Sequence, residues 1–387
     1  MARVDRSLPA TFYRGGTSKA LVFRDADLPT SRAERDAIFL SAMGSPDPNG
    51  RQLDGMGGGY SSVSKVLIIG KSEHPDADVD YTFAQVLVNA PIVDYGSNCG
   101  NMLAAVGPFA LENGLVAPGP QADSHKVVRI LNTNTNKLIH STFPTVAGFP
   151  AQADLSGDFA IDGVANTHAR VTLDFINPQG SRTGKLFPTG ERQEGLALPD
   201  GTTIKATLMD CGNPCVFILA SDLGVDSTIL PPDLEGDKAM LRRLDDIRNA
   251  AAVKMGLVDS LDQAGKAKSV PKVCIMSAKA DHKVLSGETL SADKIDLVTR
   301  CISSGDPHRA LPITASLCTA AASQIEGTVV HQCLSGPRVS QGVIIGHASG
   351  TIEVDAVLAT GPGGDIEVPK ARVFRTAKKL FEGKVFY

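Results

Sequence analysis

The amino-acid sequence predicts an α+β fold of two similar strand-rich halves, each laid around one helix of small residues. Three observations carry that expectation. Glycine (38) and proline (23) are plentiful, aromatic residues make up only 5% and tryptophan is absent, so tight turns and small side chains do much of the packing, which favours many short strands. Two runs of small apolar residues, Met102 to Asn113 and Leu317 to Ser323, each follow a polar loop and read as helices. The grammar of strand, polar turn, strand and small-residue helix in the first half then returns, approximately, in the second. A chain of 387 residues with 42% hydrophobic content has enough material for two or three domains with packed cores. The Pro/Gly junction from Gly184 to Gly190 places the boundary near Gly190, giving halves 1–190 and 191–370.

The elements follow in order. Thr11 to Tyr13 and Ala20 to Phe23 read as strands joined by the cationic turn Arg14-Gly15-Gly16-Thr17-Ser18-Lys19. A helix spans Ser31 to Met43, with Ser31 as N-cap and with Pro46 and Pro48 closing the way beyond Gly44. The Gly-rich loop Asp54 to Ser62 opens into a strand, Val63 to Ile69. Period-two alternation there puts Lys65 on the packed face with Val63 and Leu67. Another strand, Tyr81 to Val88, leads to the loop Asp94 to Asn101 and to the first small-residue helix, closed by Gly114. Lys126 to Leu131, Lys137 to Phe143 and Ala169 to Phe175 read as strands. In the second half, strands at Ile204 to Met209 and Cys215 to Ala220 flank Asp210-Cys211-Gly212-Asn213-Pro214. A helix at Leu234 to Met255 and the second small-residue helix follow, then strands at Gly327 to Val330, Val343 to Gly346 and Thr351 to Val354.

Composition excludes several classes. Lys and Arg (38) balance Asp and Glu (42) for a net charge of -4, which is no electrostatic footprint for nucleic acid. The longest apolar runs, such as Val66 to Ile69 and Cys215 to Ala220, fall far short of the ~20 residues that cross a bilayer, so no membrane span is expected. Met1 to Phe12 carries Arg3, Asp5 and Arg6 without an apolar h-region, so a cytosolic location is expected. Seven cysteines without a C-x-x-C fit neither a disulfide framework nor a zinc ribbon, and the histidines show no H-x-x-x-H spacing. Reduced thiols, and no metal or cofactor, are the expectation.

Cys99 is the sharpest chemical candidate. At a helix start, unpaired N–H groups and the macrodipole favour anions, which lowers a thiol's pKa and can also hold a carboxylate; the plain alternative is a small buried hydrophobe. Lys65 on a packed face would be desolvated toward a pKa useful for general base work, against the alternative of a lysine snorkelling at a strand end. Arg14, Thr17, Ser18 and Lys19 form a donor cluster suited to carboxylates, although cations on turns are usually solvated. Gly55-Met56-Gly57-Gly58-Gly59-Tyr60 fails as a nucleotide loop, lacking both the closing Gly of G-x-G-x-x-G and a Gly-Lys-Ser/Thr ending. Cys211 and Cys215 have C-x-x-x-C spacing, but Pro214 opens a buried strand between them. Cys318 lies inside the second helix as core, and His308-Arg309 before it is either a further cation for an anionic ligand or a surface turn.

Arg14 to Lys19, the segment Ser62-Val63-Ser64-Lys65-Val66 and Asn98-Cys99-Gly100-Asn101 followed by Ala104 to Ala110 occur in this order. With Thr183 to Gly190, Asp210 to Pro214, Cys318 to Ala322 and the tail Arg375 to Gly383, they resemble the PrpF-like family over nearly the whole chain. That family includes isomerases of 2-methylaconitate, aconitate and methylitaconate and 4-oxalomesaconate tautomerase. The resemblance implies a diaminopimelate-epimerase-like fold: two barrel-like domains around central helices, an active site in the cleft between them, and a tail, residues 371–387, that completes the first domain. An exposed barrel edge in either domain is a route to a homodimer.

It also implies cofactor-free proton transfer at carbons flanked by carboxylates, with Lys65 and Cys99 as the catalytic pair and either one as the initial base. Ser18, Lys19, Asn98, Gly100, Asn101 and Arg309 are the expected substrate-binding set, for a small tri- or dicarboxylate. Epimerases of this fold use a cysteine at each central helix. Here the second helix begins Ile313-Thr314-Ala315-Ser316 and its thiol, Cys318, is displaced inward, which disfavours a two-thiol racemase. Ala20 stands where many relatives carry Gly. The expected reaction is a 1,3-allylic proton shift or cis-trans isomerisation, with aconitate ranked before 2-methylaconitate and oxalomesaconate. An amino-acid epimerase and a non-catalytic carboxylate-binding protein are the rival readings.

Overall fold

Ser7–Gly15 and Ser18–Arg24 form an antiparallel hairpin closed by Gly16 and Thr17, with Gly16 at φ 50°, a turn conformation that costs glycine nothing. From this hairpin the first half grows in a fixed order. Ser18–Arg24 takes Lys65–Lys71 in parallel, which takes Val79–Val86 antiparallel. Val79–Val86 takes His125–Asn132 in parallel, and that strand takes Lys137–Val146 antiparallel. The helix Leu103–Glu112 enters the chain between Val79–Val86 and His125–Asn132. Ala377–Phe386, at the end of the chain, pairs along Ser7–Gly15. The computed structural model describes residues 6–96, 98–120, 124–266 and 268–387.

The second half repeats the order strand by strand. Thr203–Asp210 and Pro214–Leu219 form the hairpin, Lys272–Ala278 adds in parallel and Leu297–Ser303 antiparallel. Val343–His347 then adds in parallel and Gly350–Thr360 antiparallel. The helix Ile313–Ser323 enters at the corresponding interval. Lys65 and Lys272 each open the third strand of their half.

Each central helix is apolar all round because strands surround it. In Leu103–Glu112 every residue but Glu112 is buried, and the helix packs on Ser7–Gly15, His125–Asn132, Lys137–Val146, Phe149–Ala153 and Ala377–Phe386. Small residues are what such closeness requires: a Cβ on Gly107 would lie 2.6 Å from a Phe143 ring carbon and 2.8 Å from Ser141 Oγ. The other face of the sheet is covered by Arg32–Met43, whose Ile38, Phe39, Ala42 and Met43 pack on Phe12, Leu21, Phe23, Val66 and Ile68. Phe39 stacks on Phe23 at 5.6 Å, and burial of each such side chain contributes about 1.5–3 kcal/mol. In the second half Lys238–Lys254 does the same with Leu244, Ile247 and Ala251.

The division between the halves lies at Asp174/Phe175 rather than near Gly190, and the returning tail joins the first unit from Phe374 rather than from residue 371. The reason for the earlier division is Asp210. Its carboxylate accepts from Ser181 Oγ, the N–H groups of Arg182 and Thr183 and Thr183 Oγ1, which ties the Gly-rich junction to the second unit's first hairpin. Three local expectations change as well. Gly327 to Val330 is no strand: Thr328 caps a short helix, Val329–Gln332, by accepting from His331 N–H. The helix expected from Leu234 to Met255 breaks at Asp237, whose side chain accepts from Met240 N–H and caps Lys238–Lys254. Lys272–Ala278, Leu297–Ser303, Ile366–Arg375 and Ala377–Phe386 are strands without a counterpart in the sequence reading. Among the described residues, no helix is long and apolar enough to cross a membrane, and no group of three or more His, Cys, Asp or Glu is placed to hold a metal ion.

Candidate active site

Lys65 is positioned by strand parity. With Leu67 and its cross-strand neighbours Phe83 and Gln85 it faces the central helix rather than Arg32–Met43. It is only 8% exposed. Its Nζ donates to Gln85 Oε1 at 2.6 Å and lies 4.9 Å from the centroid of the Phe83 ring. Burial pushes the Lys65 pKa below the ordinary lysine value, and Cys99 acts in the opposite direction. Desolvation disfavours the charged form of an amine.

The Gly-rich loop builds the approach to this lysine. Gln52 lies buried inside the loop at φ 53°. Its Nε2 donates to Ser45 Oγ at 2.8 Å and Ser64 Oγ at 2.7 Å, and its Oε1 accepts from Gly59 N–H. Ser64 Oγ in turn donates to Val86 O. A Cβ on Gly57 would strike the Gln52 carboxamide, so glycine there leaves room for a side chain and not for a phosphate. Gln85 completes the frame: its Nε2 donates to Ser64 O at 2.8 Å and to Ser61 O at 3.0 Å. Nothing in the sequence marks Gln52 or Gln85, because their roles arise from loop closure and cross-strand register.

Cys99 lies in the loop ahead of the first central helix, whose start is one residue later than the sequence suggests. The helix begins at Leu103, and Asn101 O and Met102 O already accept from Ala104 and Ala105. What fixes Cys99 is its loop. Tyr81 OH donates to Cys99 O at 3.2 Å, and Asn132 Nδ2 donates to Asn98 Oδ1 at 2.8 Å. The Cys99 thiol, 8% exposed, donates to the buried Ser18 Oγ at 3.9 Å. Gly100 is in the turn that follows. Asn101 is a joint: its Oδ1 accepts from Arg375 Nε at 3.0 Å and its Nδ2 donates to Thr17 Oγ1 at 3.2 Å. Burial pulls Arg375 down to about 10, still charged at neutral pH. Asn101→Ala is expected to cost about 1–3 kcal/mol, the penalty for a buried donor left unpaired, read as an earlier denaturant midpoint with unchanged slope.

The structure thus brings Lys65, Cys99, Ser18, Asn98, Gly100 and Asn101 together around the start of the first central helix. It turns Lys19 away from them. Lys19 follows Ser18 by one residue and so faces the opposite side of the strand, with its Nζ 5.8 Å from the centroid of the Phe12 ring. Arg309 belongs to the second unit and is engaged by Glu235, at 2.6 and 3.1 Å. Its neighbour His308 is no cation, since burial, aided by Lys272, pushes its pKa down to about 4. Arg14 spends its Nη1 on Gly16 O and on Thr376 O and Oγ1, so it braces the turn. Cys318 is fully buried with its sulfur 3.7 Å from Met209 O, and burial raises its pKa well above the thiol range.

Comparison with known proteins gives the class and then the family. A crystal structure of a methylitaconate-delta-isomerase superposes with a TM-score of 0.87 at 37% identity, over 99% of this chain and 96% of that one. The 2-methyl-aconitate isomerase of Cupriavidus necator is 39% identical over 386 residues, 98% of this chain and 96% of its own. The (4E)-oxalomesaconate Delta-isomerase of Novosphingobium sp. (strain KA1) is 37% identical over an alignment of 393 positions that covers 100% of each chain. The protein is an isomerase with a mixed, strand-rich α/β fold. It belongs to the PrpF family, whose model matches residues 5–387.

Proposed function

We propose that the protein isomerises an unsaturated tricarboxylate of the aconitate type by a 1,3-allylic proton shift, with cis-aconitate to trans-aconitate as the favoured reaction. The observation that carries this reading is Lys65 on the inner sheet face as an electrostatic neighbour of Cys99 on the loop before the central helix, with the lysine's pKa depressed and its amine held by a neutral amide. The relatives support the substrate class: at nearly equal identity they are named for methylaconitate, methylitaconate and oxalomesaconate, so identity ranks none of them. Aconitate comes first because Ser18 and Gln85 give the face polar neighbours. A methyl group in an apolar pocket would discriminate by only ~1–3 kcal/mol.

The neutral Lys65 amine takes a proton from the methylene carbon beside a carboxylate, becoming an ammonium, and the electron pair spreads into a dienolate. The Cys99 thiol gives its proton to the former vinyl carbon, the double bond settles one position along, and the thiolate left behind faces the ammonium. Proton passage from Lys65 to Cys99 resets the site. An epimerase reading would ask for a second reactive thiol, and the buried, neutral Cys318 does not fit that role.

The test is proton NMR of the purified protein in D2O with cis-aconitate. Deuterium-bearing trans-aconitate is the expected product. Turnover of 2-methylaconitate or oxalomesaconate alone would leave the chemistry and discard the substrate ranking. Binding of all three without turnover would favour a carboxylate-binding protein.

A further inference from the structure

A proton carrier must release its proton as readily as it accepts one, and the group that holds the carrier sets that balance. Lys65 is held by Gln85, its direct partner across the antiparallel pair, at 2.6 Å. The amide has one orientation available. Its Nε2 is committed to Ser64 O and Ser61 O, which turns Oε1 toward the amine.

Gln85 also has a second cross-strand partner, Asp94. The three residues form a row, Lys65, Gln85, Asp94, with the glutamine between an amine and a carboxylate. Asp94 Oδ1 is turned away to accept from Gly96 N–H at 2.8 Å. The remaining groups around the amine are the Phe83 ring and Cys99, with the buried Tyr81 further along the same face and bonded to Cys99 O. Ala20 is the neighbour on the parallel side, one place before the Leu21–Val66 pair.

We propose that Gln85 is a positioning residue for the isomerisation: it aims Lys65 Nζ at the Cys99 side of the site and keeps the Asp94 carboxylate off it, so that the amine stays able to lose its proton. This rests on the reading of Lys65 as a proton carrier. A carboxylate in place of Gln85 would lock an ion pair and hold the ammonium. An aliphatic side chain would leave the amine without its acceptor and free to move.

The experiment is the pH dependence of kcat/KM and kcat for wild type, Gln85→Glu, Gln85→Leu and Lys65→Ala, with thermal melts to confirm folding. In Gln85→Glu the limb that reports Lys65 deprotonation should move up by about 1–3 pH units, the effect of an opposite charge at this range. Activity at pH 7 should therefore fall about 10- to 1000-fold and return at high pH. In Gln85→Leu the same limb should move down, because the ammonium loses a hydrogen bond. kcat should fall about tenfold with KM little changed, the pattern of an interaction used in the transition state. Opposite shifts in two folded variants are not produced by loosening alone.

An unmoved limb in both variants overturns the proposal. If Gln85→Glu does not fold, the downward shift in Gln85→Leu decides by itself. If Lys65→Ala keeps both activity and limb, the failure belongs to Lys65 as proton carrier and takes the proposal with it. An abolished Lys65→Ala beside unmoved Gln85 variants fails the proposal alone.

Discussion

Lys65→Ala and Cys99→Ser are each expected to lower kcat by about 10²–10⁴-fold, the usual share of a positioned acid or base, with substrate affinity kept within a small factor. The two losses should differ in kind. With Lys65 as base, Cys99→Ser still has an amine able to remove the methylene proton, so substrate should take up deuterium from D2O while product formation stalls. Lys65→Ala should lose both exchange and conversion. The reverse pattern, exchange kept in Lys65→Ala and lost in Cys99→Ser, would assign the first step to the thiol. Loss of exchange in both would mean that removal and return of the proton are not separable. The double variant should be little worse than the poorer single one, since groups that act as one unit are strongly non-additive. Both variants should fold, with Cys99→Ser melting close to wild type and Lys65→Ala somewhat earlier, because Gln85 Oε1 on the neighbouring strand loses its donor.

What could be read from the sequence divides along a physical line. Residues whose role follows from local rules were legible: parity put Lys65 inward, Ser31 announced a cap that the structure shows accepting from Glu34 N–H, and the two runs of small residues announced helices with strands on every side. Residues whose role depends on closure were not. Gln52 matters because glycines at 57 and 59 let a loop fold around it, and Gln85 because register sets it opposite Lys65. Arg375 acts on Asn101 across more than half the chain. The same line runs through the expectations that the fold refines. Adjacency groups Lys19 with Ser18, yet consecutive strand residues face opposite sides. Adjacency offers Arg309 as a cation for an anionic ligand or as a surface turn, and cannot show that Glu235, remote in sequence, meets it at 2.6 Å. Gly190 has the composition of a linker, and only the fold shows Asp210 holding the segment ahead of it.

Gly15→Ala should produce a large effect although it removes no functional group. Gly15 sits at the end of the first strand, where the hairpin meets the turn leading into the central helix. A Cβ there would lie 2.9 Å from Asn101 O and 2.9 Å from Met102 Cα. Both are backbone atoms, so the contact cannot be relieved by a rotamer, and the hairpin or the turn must move. Overpacking of this kind costs about 1–3 kcal/mol, or on the order of 2–10 °C in melting temperature. The catalytic cost should be larger than the stability cost implies. The turn that must yield follows directly on Cys99, and the hairpin carries Ser18, the thiol's partner at 3.9 Å. A displacement near 1 Å is worth about a hundredfold in rate when geometry must be met. Gly383→Ala is the matched control: it lies in the C-terminal strand on the same hairpin, with nothing within 4 Å of its Cβ position, and should leave both melting temperature and kcat unchanged. If Gly15→Ala behaves like Gly383→Ala, the close approach of hairpin and turn does not set the position of Cys99. If it melts early yet keeps its kcat, the approach holds the fold together without aiming the thiol.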